Sequence, residues 1–163
     1  MFNIGDLIVY SAHGICRIVD IQEKTYLGVT KKYYILHPLD DDNLKISIPV
    51  DSKKVVMLEL LDKDEAQEIL ESFKLPGVEW IEADNQRYDT YLNMVKEGNR
   101  KEIARIANTL MRQKIKLENG GRKFHERDRR LLTSIQDTLF SELAYALNTT
   151  YEAIYDKIMS FIS

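Results

Sequence analysis

The first sixty residues alternate between short apolar runs and polar turns, a pattern that predicts β-strands. Two apolar runs, Leu7–Tyr10 and residues 15–21, flank a polar turn that contains Ser11, His13 and Gly14. Valine, isoleucine and tyrosine favour a pleated, half-buried surface, and Gly14 can adopt a positive φ between the two runs. The chain therefore opens with a predicted β-hairpin.

Three later runs continue this pattern: residues 33–37, 44–50 and 55–58. In the middle run the apolar side chains fall on even positions, while Lys45, Ser47 and Pro49 fall on odd ones, which is the period of a strand with one buried face. Pro49 cannot donate a backbone hydrogen bond, so we expect this strand at an edge or a bulge. Four or five short strands with tight connections predict a small antiparallel β-barrel of the Tudor or SH3-like kind over residues 1–60.

From Asp62 onward the period of the apolar residues changes to 3.6, which predicts helices. Helix-ending signals divide the segment at Pro76-Gly77, Gly98 and Asn119-Gly120-Gly121. The helix-starting signals are Asp62 or Asp64, Asn99-x-x-Glu102, a position near Phe124, and Thr149-x-x-Glu152. These signals predict a compact α domain of five helices over residues 62–163. The expected fold class is therefore α+β, with two domains.

Composition excludes several classes of protein. The chain has 163 residues, of which 44% are apolar, and no apolar run approaches the length that crosses a bilayer. Its N-terminus lacks the basic and apolar segments of a secretory signal, and its single cysteine, Cys16, cannot form an internal disulfide. We expect a cytoplasmic protein with no membrane contact.

Charge is distributed unevenly along the chain. The net charge is −3, but residues 96–130 carry 12 Lys or Arg and 5 Asp or Glu, a local net charge of +7. Such a segment is typical of a surface that binds an anionic partner, with nucleic acid the first candidate. Two solvated helix faces would have the same composition, and charge alone leaves both interpretations open.

No residue pattern indicates catalysis or a cofactor. The chain has no glycine-rich phosphate loop, nucleophile elbow or His-Glu-x-x-His motif. His13 and Cys16 are close in sequence, but a structural zinc site needs four ligands, and His37 and His125 fall in other predicted elements. We expect no metal site and no enzymatic activity, and we expect Cys16 to be a buried strand residue.

Motifs along the whole chain resemble the CarD family of bacterial transcription regulators. The opening segment reads Gly5-Asp-x-x-Val-Tyr-x-x-His-Gly-x-x-x-Ile, which is also similar to the polymerase-interacting domain of the transcription-repair coupling factor. The later motifs follow in the family's order: Gln86-Arg-Tyr, Gly98-Asn99, Arg129-Arg-Leu-Leu and Ser141-Glu-Leu-Ala-Tyr-Ala. Each motif is weak alone, but the ordered set is specific.

The resemblance implies that the N-terminal module docks on the RNA polymerase β subunit through an edge strand, with backbone hydrogen bonds giving affinity. It places polymerase contacts at Lys24 and Ser47. Lys24 keeps the family's positive charge, whereas Ser47 replaces a frequent arginine. One expected charge contact is therefore missing, unless Lys45 substitutes for it from the other face of the strand.

The resemblance also implies that the helical domain contacts promoter DNA, where an aromatic wedge slows collapse of the melted region. Here the wedge position holds Asp84, and Gln86 and Asp89 replace basic residues, which removes stacking and phosphate neutralisation. Trp80, the only tryptophan, could be the wedge or could pack the bundle. The candidate DNA contacts, mainly to the backbone, are Arg129, Arg130, Arg87, Trp80, Arg122 and Lys123.

These observations favour a regulator that docks on polymerase, contacts upstream promoter DNA and modulates the stability of the open complex. One alternative is a polymerase-binding adaptor with little or no DNA contact, because of Asp84, Gln86 and Asp89. A second is a nucleic-acid-binding protein independent of polymerase, which the acidic N-terminal half disfavours. An edge strand without a partner also allows a strand-swapped homodimer.

Overall fold

A computed structural model describes residues 1–10, 13–53 and 57–163, and the chain divides into two compact units, Met1–Leu60 and Leu61–Ser163. The first unit contains a β-sheet and the second contains helices. The predicted fold class, α+β with a β unit followed by a helical unit, is therefore confirmed. Ser11 of the predicted opening turn and residues 55–56 of the predicted last strand lie outside the described residues.

The first unit is a five-stranded antiparallel sheet with the order β4-β3-β2-β1-β5. Its strands are β1 (Leu7–Tyr10), β2 (Gly14–Tyr26), β3 (Val29–Pro38), β4 (Ile46–Pro49) and β5 (Met57–Glu59). No pairing joins β4 to β5 among the described residues, so the Tudor-like sheet is open rather than a closed barrel. Pro49 lies in the edge strand β4, as its missing N–H predicts.

A long hairpin, β2–β3, is the main feature of this sheet. The register runs from Cys16 opposite Pro38 to Tyr26 opposite Val29, with one irregularity between Ile18 and Asp20. Leu27 and Gly28 both have positive φ, which is the two-residue turn that matches the twist of paired strands. The hairpin is longer than the sequence predicts, because its outer part is polar apart from the exposed Tyr26, Leu27 and Val29 at its tip.

One face of the sheet forms the core of the first unit. Ile8, Cys16, Ile18, Leu36 and Ile48 are almost fully buried there. Cys16 is thus the buried strand residue that its position predicts. Apolar burial of this kind stabilises a fold by about 25 cal/mol per Å² of surface removed from water.

The second unit is a helical bundle. Its helices are α1 (Lys63–Glu71, followed by a 3₁₀ turn), α2 (Asp84–Lys96), α3 (Arg100–Asn119), α4 (Glu126–Ile135), α5 (Ser141–Ala146) and α6 (Tyr151–Ile162). A π-helical turn at Gln136–Phe140 joins α4 to α5 without a break, so the described residues contain five helical segments, as predicted. None of these helices is both long and apolar enough to cross a membrane.

Helix α3 is the centre of the bundle. Its middle residues are buried on more than one face, including the polar Asn108 and Thr109. Their side chains donate to the carbonyls of Leu75 and Val78, over 2.6 Å and 2.8 Å, and so fix the segment after α1 against α3. Buried polar groups need such partners, because an unpaired one costs about 1–3 kcal/mol.

Side-chain caps start most of the helices. Asp62 caps α1 and Asn99 caps α3, as the sequence predicts. Two starts differ from the prediction. Thr150, rather than Thr149, caps α6, and α4 begins at Glu126 because the ring of His125 accepts from the backbone N–H of Arg127.

Candidate functional site

Strand β4 has a free edge. Val50 donates its N–H to Lys32 of β3, and ladder hydrogen bonds alternate along a strand, so Ile48 and Ile46 also face β3. Ser47 therefore directs its N–H and C=O away from the sheet, where the described residues provide no partner strand. This edge can accept an additional strand.

The predicted docking residues lie at this edge. Lys24 donates from Nζ to Oγ of Ser47 over 2.9 Å, and its ammonium also lies 5.8 Å from the ring centroid of Tyr33. Lys45 precedes β4 and is exposed like Ser47, while the intervening Ile46 is half-buried and Ile48 is buried. The placement of Lys45 on the face opposite Ser47 is therefore wrong, because positions two apart share a face.

Lys45 also contributes to the electrostatic environment of Asp20 on β2. The pKa of Asp20 is lowered first by the hydrogen bond from the Gln22 amide, then by the N–H of Ile21, and to a smaller extent by Lys45. Lysines 24 and 45 and Ser47 thus come together on one exposed surface. We call this surface the β4 edge.

Arg87 is buried in the helical unit, which corrects the expectation that it contacts DNA. Arg87 is 2% exposed, and its Nη2 lies 2.5 Å from Oδ2 of Asp128. Nη2 also bonds Asp84, and Nη1 donates to the carbonyl of Ile81 over 2.9 Å. Because the N–H groups of this guanidinium already bond to acceptors within the protein, none is left for a phosphate. Arg87 is therefore excluded as a DNA contact.

Asp84 completes this arrangement. The hydrogen bond from Arg87, opposed by some desolvation, holds the pKa of Asp84 below its usual value. Burial alone would lower the pKa of Arg87, but the hydrogen bonds and charges of Asp128 and Asp84 together outweigh burial. The net effect raises the pKa of Arg87, so the guanidinium stays charged. The carboxylate at the family's wedge position therefore serves as a partner of a buried arginine.

Trp80 packs against the bundle. It is half-buried beside the helical core, and the Arg87 guanidinium lies 4.2 Å from its ring centroid. Trp80, Arg87, Lys123 and Phe124 line a cleft of about 510 Å³. One face of the indole is thus already stacked, which favours the packing role over the wedge.

Most cations of the basic segment have internal partners. Arg129 has a carboxylate on each side, with Nη2 3.7 Å from Glu118 and Nε 3.7 Å from Glu126. Arg130 is exposed and lies 3.8 Å from Glu126. Arg129 also lines a pocket of about 120 Å³ between α3, α4 and α6. Arg129 and Arg130 thus both approach the carboxylate of Glu126 on α4.

Arg122 and Lys123 lie in the exposed connection between α3 and α4. Neither side chain has an ion pair or hydrogen bond within the described part of the chain, and the same holds for Lys116 near the end of α3. These three cations, which have no side-chain partner in the part of the chain that the structure describes, thus lie close in sequence. Lys116 was missed by sequence reasoning, although its spacing from Arg122 and Lys123 could have indicated it.

Sequence reasoning also missed the partners of Arg127. Arg127 bonds Asn85 and lies 4.8 Å from the ring centroid of Tyr88, so it ties α4 to α2. Within the described residues, no three His, Cys, Asp or Glu side chains are placed to hold a metal ion.

Comparisons with known proteins match both units. A family model described as the CarD-like/TRCF RID domain matches residues 2–60, and one described as CarD, C-terminal domain, matches residues 56–159. The chain is 27% identical over 157 residues to a Bacillus subtilis (strain 168) protein named "Putative transcription factor YdeB". That alignment covers 94% of this chain and 97% of the relative. The two matches follow each other in order over nearly the whole chain, and the protein belongs to the CarD family.

Proposed function

We propose that the protein is a transcription regulator that docks on the RNA polymerase β subunit through the β4 edge and contacts upstream promoter DNA through its helical unit. The match of both CarD-family models in order along one chain is the observation that carries this proposal. Tighter binding to the open than to the closed promoter complex would shift the population toward the melted state.

The β4 edge supports docking by strand addition. Ser47 presents an outward N–H and C=O, and Lys24 and Lys45 supply positive charge beside it. Pro49, two residues later in β4, has no N–H, so the row of outward backbone donors stops there. Backbone bonds would then give affinity, while the two lysines would set the register against carboxylates of the partner.

Two substitutions at one position test this docking. Ser47→Pro removes the outward N–H without removing a bond used within the sheet, whereas Ser47→Ala keeps that N–H. We expect Ser47→Pro to weaken binding of the full chain to polymerase by about tenfold or more, from one lost backbone bond and its unpaired partner. Ser47→Ala should stay near wild type. Equal binding by both variants would exclude strand addition at this edge.

DNA contact is assigned to Arg122, Lys123, Arg129 and Arg130, with Lys116 added because its charge is unpaired among the described residues. Contact to the backbone alone gives a salt-dependent affinity without base readout. Trp80 can contact DNA only if its indole moves away from the Arg87 guanidinium. Quenching of the Trp80 fluorescence by promoter DNA would detect that movement.

A matched pair of charge changes tests the DNA contact. Lys123→Gln and Lys101→Gln each remove one charge from the basic segment, but Lys101 lies 3.4 Å from Glu68 of α1 and outside the proposed surface. Fluorescence anisotropy with labelled duplex should show a salt slope reduced by about one for Lys123→Gln only. An equal effect of both variants would count against a localised contact.

The burial of Arg87 and the carboxylates around Arg129 favour a second candidate, a polymerase-binding adaptor with little DNA contact. Open-complex lifetime separates the two functions. Under the adaptor hypothesis, the Arg129→Gln variant keeps both polymerase binding and its effect on lifetime. Under the proposed function, it keeps polymerase binding and loses the effect on lifetime.

A further inference from the structure

We infer that Glu118 occupies, within the free protein, the place that a DNA backbone phosphate takes when the helical unit binds DNA. The inference rests on the proposed DNA contact by Arg129. It adds Lys114 to the binding surface and gives Glu118 a masking role.

Glu118 joins two cations from different helices. Its Oε1 lies 3.4 Å from Nζ of Lys114, one turn earlier on α3, and its Oε2 lies 3.7 Å from Nη2 of Arg129 on α4. One carboxylate thus neutralises both an ammonium and a guanidinium. A phosphate carries the same sign of charge and also presents two oxygens, so it suits the same pair.

Without these two cations, a carboxylate would be unfavourable at the position of Glu118 near the end of α3. Glu118 is the penultimate residue of α3, which ends at Asn119. The C-terminal end of a helix carries partial negative charge, so a carboxylate there is disfavoured, whereas Lys114 and Lys116 are favoured. The two bridged cations are therefore the interaction that accounts for a carboxylate at this place.

A small pocket lies where the two cations approach each other. Lys114 and Arg129 both line the pocket of about 120 Å³, together with Thr133, Gln136 and Tyr155. These three side chains carry hydroxyl and amide groups, which can donate to an oxyanion. The pocket adjoins both cations but is not lined by Glu118 itself, so displacement of Glu118 would leave a phosphate with the two cations, and Glu126 would remain 3.7 Å from Nε of Arg129.

The mask is weak enough to be displaced. The side chains of Lys114, Glu118 and Arg129 are each between 34% and 45% exposed, and the contacts are longer than a strong charge-assisted hydrogen bond. Exposed ion pairs contribute at most about 1 kcal/mol, which corresponds to about a fivefold change in an equilibrium constant. DNA must break the ion pairs of Glu118 before it can bind to Lys114 and Arg129. We therefore expect wild type to bind DNA about two- to fivefold more weakly than a chain without the Glu118 carboxylate.

A double-mutant cycle on the full chain tests the inference. We expect Glu118→Gln to bind labelled duplex DNA about two- to fivefold more tightly than wild type at low salt, and to have a steeper salt slope. Glu102→Gln is the matched control, because it removes the same charge from α3 while Glu102 pairs with Arg105, at 3.2 Å, near the other end of the helix. That control should bind like wild type.

The cycle separates masking from a general charge effect. If Glu118 masks Arg129, the gain from Glu118→Gln shrinks or disappears in an Arg129→Gln background. A gain of equal size in that background would overturn the masking role, as would a wild-type affinity for Glu118→Gln. If Arg129→Gln itself leaves DNA binding unchanged, the proposed DNA contact fails first, and the inference fails with it.

Discussion

Arg87 and Asp128 form a buried ion pair between α2 and α4, with side chains 3% and 2% exposed. The contact is bidentate: Nη2 lies 2.5 Å from Oδ2, and Nε lies 3.2 Å from Oδ1. The indole of Trp80 covers the guanidinium, and Asp84 bonds it from the start of α2. An arginine that the family motif presents as a DNA contact is therefore a structural element of this chain.

Asp128→Asn should destabilise the helical unit strongly. Removing the charge of Asp128 leaves the buried Arg87 with only the carboxylate of Asp84, which is 57% exposed. We expect a loss of about 3 kcal/mol, the lower end of the cost of an uncompensated buried charge. Urea unfolding followed by circular dichroism measures this loss. Asp156→Asn, an exposed change on α6, should leave the free energy of unfolding within about 0.5 kcal/mol of wild type.

The paired variant Arg87→Met with Asp128→Leu tests the cause of that loss. Replacing both charges by apolar side chains removes the orphaned charge, so much of the stability should return. A double variant as unstable as Asp128→Asn would show that lost packing, rather than the unpaired charge, causes the effect.

Glu142 should make stability fall as pH rises. Burial raises the pKa of Glu142 above its usual 4.5, against the attraction of Arg100 and the N–H of Leu61. The folded state then holds this proton more strongly than the unfolded state. Its stabilising contribution is fully present below pH 4.5 and is lost as pH rises through the folded-state pKa.

Comparison with Glu142→Gln isolates this contribution. The free energy of unfolding of wild type minus that of the variant should decrease from pH 4.5 towards neutrality. Urea unfolding at a series of pH values measures the difference. A difference that grows with pH would mean that Arg100 outweighs burial and lowers the pKa of Glu142.

Local patterns predicted much of the fold. The alternation around Ser47 and the proline after it indicated an edge strand, and the caps at Asp62 and Asn99 followed from short signals. The length of the β2–β3 hairpin was underestimated, because residues 22–25 and 30–32 are polar on both faces and carry no apolar period. The π-helical turn has no sequence signal of its own.

The candidate site was less predictable, because it depends on contacts far apart in sequence. Arg87 and Asp128 are 41 residues apart, and each alone reads as an exposed charge. Their positions carried a signal nonetheless. Arg87 lies one turn before the buried Tyr91, and Asp128 lies one turn before the buried Leu131 and Leu132. Opposite charges on two apolar stripes indicate a buried pair.

Cys16 should be inert to thiol reagents in the folded chain. Burial, with a smaller contribution from Asp40, raises the pKa of its thiol from 9.0 to about 11. At pH 8 only about one thiol in a thousand is then a thiolate, which is the reactive form. Labelling with a chromogenic disulfide should be very slow until guanidinium unfolds the first unit. Rapid labelling of the folded chain would contradict the burial of Cys16.

Gly77→Ala should destabilise the helical unit by about 1–3 kcal/mol, because the segment after α1 approaches α3 too closely for a Cβ. A Cβ at Gly77 would lie 2.2 Å from Oγ1 of Thr109 and 2.5 Å from the carbonyl oxygen of Arg105. The backbone oxygen cannot rotate away, so the segment must move and strain the bond from Thr109 to Val78.

Gly120→Ala is the matched control for this change. A Cβ there would have its nearest contact at 3.5 Å, and the φ of −85° suits any residue. Alanine also restricts the unfolded chain, so this variant should be neutral or more stable by up to about 1 kcal/mol. Thermal unfolding of both variants measures the contrast. If Gly77→Ala unfolded at the same temperature as Gly120→Ala, the close approach of this segment to α3 would not exist in solution.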